Sequence, residues 1–153
     1  MTYAIDTNVI LDIMFADPTF GPASRDLLEA LSADNVFIAC DVVWAETSAA
    51  FNDKAMFRRQ MAALGIEYSP MSETAAIRAG SIWRLARAVQ KSKGSTRLAV
   101  VPDFLVGAHA MECADALITR DRGFMRRWFT DLSIADPSAK RTKPLEPAGT
   151  SPS

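Results

Sequence analysis

The 153-residue chain has a single histidine, His109, and only two cysteines, Cys40 and Cys113. The cysteines share no short spacing, lie beside no histidine pair and sit in apolar surroundings. That pattern argues against zinc and for buried, reduced thiols. A lone histidine on a helical stretch is more often packing than catalysis, and His109 is read that way. No stretch approaches the roughly 18 apolar residues needed to cross a bilayer. The opening "MTYAIDTN" has no positive region followed by an apolar one, so a cytoplasmic location is expected. An excess of one charge sign is missing as well: 17 basic residues against 18 acidic ones give a formal net charge of −1. The surface as a whole is therefore no nucleic-acid-binding surface, and a polyanionic substrate would have to be held by local groups. No internal repeat is found.

What is present is ordinary for a globular protein. A hydrophobic share of 49% with 23% charged residues excludes disorder of the whole chain. A single domain of this length buries roughly 70% of its unfolded surface, enough for a core without a disulfide or metal staple. Short β-rich runs alternate with helical ones. "TYAI" (2–5), "NVFIAC" (35–40), "GIEYS" (65–69), "ALIT" (116–119) and "DLSIA" (131–135) read as strands. Helices are expected over 22–33, 42–63 with a break near Asn52-Asp53, 102–114 and 121–129. A further one runs from an N-cap at Ser72 to about Lys91 and ends at Gly94, with Ala75, Ala79, Ile82, Ala86 and Val89 on one stripe. Alternating strands and helices imply right-handed crossovers and a mainly parallel central sheet covered on both faces, a three-layer α/β/α sandwich. After about Asp136 the chain turns rich in Pro, Ser and Thr, so residues 1–136 are expected to form the domain and 137–153 a flexible tail.

The apolar run at the N-terminus stops on Asp6 and restarts at once. A carboxylate there loses hydration unless it lies at a strand end or in a site. In parallel α/β sheets ligands bind beyond the carboxyl ends of the strands, where the strand order reverses. Asp6 follows the first strand directly, and Asp121 follows "ALIT" by two residues. Glu46, in the helix after "NVFIAC", and Asp103, behind Pro102 at the start of its helix, should face the same edge. Asp103 shares its helix face with Val106, Gly107 and Ala110, which would let that helix sit close to the sheet. Two like charges about 4 Å apart repel by roughly 4 kcal/mol at an effective dielectric of 20, a conflict that a divalent cation removes. Oxygen-only ligands favour Mg²⁺ or Mn²⁺, and the chemistry implied is metal-assisted hydrolysis of a phosphodiester. Arg120 and Arg122 flank Asp121 and could form a basic rim for the substrate's phosphates. Asp12 or Asp17 could support the site from outside the ligand set, but neither is counted in it.

The ordered set "IDTNVILDI", "WAETSAAF", "VPDFLVGAHA" and "LITRDRGF", spread over about residues 2 to 135, resembles a PIN-domain ribonuclease of the VapC toxin type. The resemblance implies that Asp6, Glu46, Asp103 and Asp121 are the catalytic, metal-binding acids, with Asn8 and Thr119 as polar neighbours orienting carboxylates or water. It also implies a central first strand, RNA as substrate, a homodimer, and a cognate antitoxin that blocks the site.

Each residue has a plainer explanation. Asp6 could cap a helix beginning at Thr7 or Asn8, and Asp121 could cap "RGFMRRWF". Glu46 could be a solvent-facing helix acid, and Asp103 a partner for a helix dipole. Trp44, Trp83 and Trp128 fit packing better than base stacking. Two rival functions follow. A haloacid-dehalogenase-like phosphatase would use Asp6 as nucleophile, but that pattern needs a second acid where Asn8 stands. A catalytically inactive PIN-like module would bind RNA or protein only.

Overall fold

A computed structural model describes residues 1–94 and 101–139 of the chain. Along it run β1 (Thr2–Ile5), α1 (Thr7–Met14), α2 (Gly21–Leu31), β2 (Val36–Ala39), α3 (Asp41–Ser48), α4 (Lys54–Ala63), β3 (Ile66–Tyr68), α5 (Glu73–Ser92), α6 (Val101–Cys113), β4 (Ala116–Ile118), α7 (Arg122–Trp128) and β5 (Ile134–Ala135). The strands form one sheet in the order β3-β2-β1-β4-β5, and every pairing is parallel. The first strand is central, as expected. The chain moves outward on one side through β2 and β3, then returns to the other side of β1 with β4. The strand order therefore reverses between β1 and β4, where Tyr3 pairs with Ala116 and Ile5 with Ile118.

The local chemistry explains most boundaries. Ser72 accepts the Ala75 amide at 3.0 Å and opens α5; Gly94, with φ of +65°, follows its end. The expected break between α3 and α4 falls where Asp53 accepts the Ala55 amide at 2.8 Å. On α5, Ala75, Ala79 and Ala86 are buried, as their spacing requires. The largest fully buried side chains, among them Phe104, Ile5, Ile10, Leu117 and Ile118, join the two helical layers to the sheet. Gly107 is needed at one close approach: a Cβ there would stand 2.3 Å from the Phe129 ring.

One element departs from expectation. Residues 7–14 form α1, although the sequence suggests a helix there only in the plainer explanation of Asp6. Its apolar residues Val9, Ile10 and Ile13 continue the apolar run of β1, so no composition change marks the boundary. The strand "DLSIA" contracts to Ile134–Ala135. Of the expected tail, residues 140–153 lie outside the described residues. Among the described residues no helix is long and apolar enough to cross a membrane.

Candidate active site

Asp6 ends β1 and begins α1 at the same time. Its backbone amide donates to the Ile118 carbonyl at 3.0 Å, extending the β1–β4 ladder by one bond. Its side chain then accepts the Thr7 amide at 2.7 Å through Oδ1, as an N-cap does. The other oxygen, Oδ2, accepts the Thr119 hydroxyl at 2.7 Å and the Asn8 amide nitrogen at 3.1 Å. A carboxylate offers about four acceptor positions, and three are taken by these donors. The one left without a described partner is on Oδ1.

Thr119, fully buried beyond the end of β4, uses its whole hydrogen-bonding capacity here. It donates to Asp6 and accepts from the Asn8 side chain at 3.4 Å and from the Asp121 amide at 3.0 Å. Asn8 closes the ring, its Oδ1 accepting the Arg120 amide at 3.3 Å. Asp121 caps α7 by accepting the Phe124 amide at 3.3 Å. Asp6 and Asp121 are thus both helix caps beyond the carboxyl ends of strands, so capping does not conflict with a role in a site there. Glu46, exposed on α3, accepts the Thr7 hydroxyl at 2.5 Å. Thr7 is a site residue that the sequence reading missed; its place directly after the strand-end acid is the one signal for it. Asp103 is partly buried in the first turn of α6.

The electrostatics tie the four acids together. Burial first, and then the charges of Asp6, Asp121 and Glu46, together raise the Asp103 carboxyl to about 6. Burial also raises Asp6; Thr119 and the Thr7 amide pull it back, and the charges of Glu46 and Asp121 raise it again. The acids share one lip without closing into one ligand shell: among the described residues no three His, Cys, Asp or Glu side chains are grouped to hold a metal ion. By donor chemistry the set fits a hard divalent cation. It is all oxygen, and its mutual repulsion is the conflict such a charge relieves.

The two arginines take different places. The Arg120 side chain turns back from the lip: its Nε and Nη2 donate to Asp12 Oδ2 and Oδ1 at 2.7 and 3.0 Å. Arg122 is exposed, with Nε 3.4 Å from Asp136. His109 is buried away from the acids, its Nε2 3.0 Å from the Ser69 hydroxyl, and burial lowers its basicity. Cys40 and Cys113 are free thiols. Trp44 packs edge-on against Phe57 and Tyr68, and Trp128 lies against Phe104.

These features define a class: a parallel α/β domain with Asp6 and Asp121 just beyond the carboxyl ends of β1 and β4, where the strand order reverses. The model of the PIN domain family matches residues 3–127, and the chain belongs to that family. Solved structures share the fold. The chain is similar to VapBC2 from Rickettsia felis, solved bound to a promoter DNA fragment, with a TM-score of 0.65, 21% identity, and 89% of this chain and 98% of that one covered. It is similar to VapBC-1 from nontypeable Haemophilus influenzae (TM-score 0.64, 19% identity, coverage 91% and 100%). It also resembles VapC20 from Mycobacterium tuberculosis, described as a sarcin-ricin loop cleaving toxin (TM-score 0.56, 14% identity, coverage 86% and 98%). No curated protein matches the chain.

Proposed function

We propose that this protein is a divalent-cation-dependent endoribonuclease, the toxin of a toxin–antitoxin pair. The observation that supports the reading is that Asp103 is raised by the charges of Asp6, Asp121 and Glu46, and Asp6 by those of Glu46 and Asp121. These four would hold Mg²⁺ or Mn²⁺. Bound there, the cation would polarise water and offset the negative charge developing on the scissile phosphate. The chain's own contribution is placement. Thr119, Asn8 and the Thr7 amide fix the orientation of the Asp6 carboxylate, whose remaining Oδ1 position would be the one to meet a cation. Thr7 orients Glu46, and the α7 cap holds Asp121. Arg122, exposed beside Asp121 and 3.4 Å from Asp136, would meet phosphate oxygens in this reading. A sarcin-ricin loop cleaving toxin and a toxin-antitoxin complex from Klebsiella pneumoniae among the similar structures support an RNA substrate and a cognate antitoxin; a homodimer is part of the same proposal.

The second reading, a PIN-like binding module without catalysis, is favoured by the open spacing of the acids, which form no closed ligand group among the described residues. One experiment separates the two. The purified protein should cleave RNA only when a divalent cation is added, and Asp6→Asn should abolish cleavage with an unchanged near-ultraviolet circular dichroism spectrum. Asn keeps the α1 cap but loses the charge and the acceptor that faces Thr119 and Asn8. A variant as active as the parent would discard the mechanism.

A further inference from the structure

The Asp12–Arg120 pair lies just behind the acid lip and is unusually well held. Asp12 is buried in α1, and its carboxylate receives the Arg120 guanidinium on both oxygens, with the Ser24 hydroxyl 3.3 Å from Oδ2. The Phe20 ring lies against the guanidinium carbon, 4.0 Å from centroid to Cζ. A planar, two-pronged ion pair stacked on an aromatic ring fixes both position and orientation, which a single exposed contact does not. Arg120 stands in the chain between Thr119, which bonds Asp6, and Asp121. Its backbone amide donates to Asn8, one turn ahead of Asp12 on the same helix. The turn after β4 is therefore fastened to α1 twice through one residue, once by side chain and once by backbone.

We infer that Asp12 and Arg120 are positioning residues that hold Asn8, Thr119 and Asp121 in register with Asp6, and that Arg120 is not a phosphate-binding residue. The inference rests on the nuclease reading for its kinetic consequence, but the geometry it asserts can be tested without activity.

The test compares the full-length parent with Asp12→Asn, Arg120→Gln and the milder Arg120→Lys by ¹H–¹⁵N spectroscopy, melting and steady-state RNA cleavage well below the melting temperature. In each variant the Asn8 side-chain amide and the Asp121 backbone amide should shift. The Thr2 amide, bonded to Asp115 at the opposite end of β1, should stay. With Mg²⁺ present, kcat should fall by about ten- to a hundredfold, the range seen when groups supporting metal ligands are lost. KM and the salt dependence of cleavage should match the parent's. Asp12→Asn combined with Arg120→Gln should be no worse than either alone, because both break one clamp. Arg120→Lys should not rescue, since it lacks the fork.

Unmoved Asn8 and Asp121 signals, or lowered melting with a parental kcat, would reduce the pair to a brace for α1 and overturn the inference. So would a raised KM and a shallower salt slope in the Arg120 variants while Asp12→Asn behaves as the parent; that result would make Arg120 a phosphate contact. A parent that cleaves no RNA would remove the nuclease reading, and the amide shifts would still decide the clamp.

Discussion

Asp103 is the residue whose chemistry is most exposed to solution conditions. Its carboxyl stands at about 6, above the ordinary value of 3.8, because it is desolvated and faces three other acids. A folded-state value raised in this way contributes stability that is fully present below about pH 4 and lost as the pH rises through about 6. Asp103→Asn removes that loss. Without metal, the variant should melt together with the parent near pH 4 and above it at pH 8; equal melting temperatures at pH 8 would contradict the assigned repulsion. Gly107 gives a prediction independent of charge. Its missing side chain makes room for the Phe129 ring, so Gly107→Ala should force a shift at that contact. The expected cost in chemical denaturation is about 1–3 kcal/mol, the usual range for overpacking a core.

At the level of elements, α7 separates two roles of one side chain. Asp121 begins this seven-residue helix and also belongs to the acid lip. Asp121→Ser keeps a good cap, whereas Asp121→Ala removes it at a cost of about 1 kcal/mol. Both substitutions should abolish cleavage, and only the alanine variant should lose that stability in denaturant titration; equal losses would mean the cap contributes nothing. The same double use explains what could be read from the chain. All five expected strand runs contain the observed strands: the first matches β1, three overshoot by one or two residues and the last by three, because their β-branched and aromatic runs end in polar residues. Three of the four proposed acids carry a positional signal, Asp6 and Asp121 just after strands and Asp103 in the first turn of a helix, whereas Glu46 lies in the second turn of α3. By contrast, α1 was hidden: Asp6 is its cap, and its apolar face extends the hydrophobic run of β1 without punctuation. The partner of Arg120 was hidden too. A basic residue beside an acid in sequence reads as a rim, and only folding brings Asp12, 108 positions away, within 2.7 Å.

For the molecule as a whole, net charge and metal binding set the remaining expectations. A chain with a formal charge of −1 has no general attraction for RNA, so association must depend on a few phosphate contacts. Cleavage should weaken as salt rises, and Arg122→Gln should lower the slope by about 0.7 if it meets one phosphate of a single strand. Magnesium or manganese at about a hundred times its dissociation constant should stabilise the parent by about 2.7 kcal/mol, and Asp6→Asn by far less. Equal stabilisation of both proteins would place the ion elsewhere. The reversal of strand order between β1 and β4 has a consequence during synthesis. The cleft's first wall, carrying Asp6, leaves the ribosome early, while the second, carrying Thr119 and Asp121, follows only after more than a hundred further residues. A fragment released before β4 emerges lacks that wall altogether, and with it Thr119 and Asp121, so the cleft can be completed only by a chain read through to its last quarter.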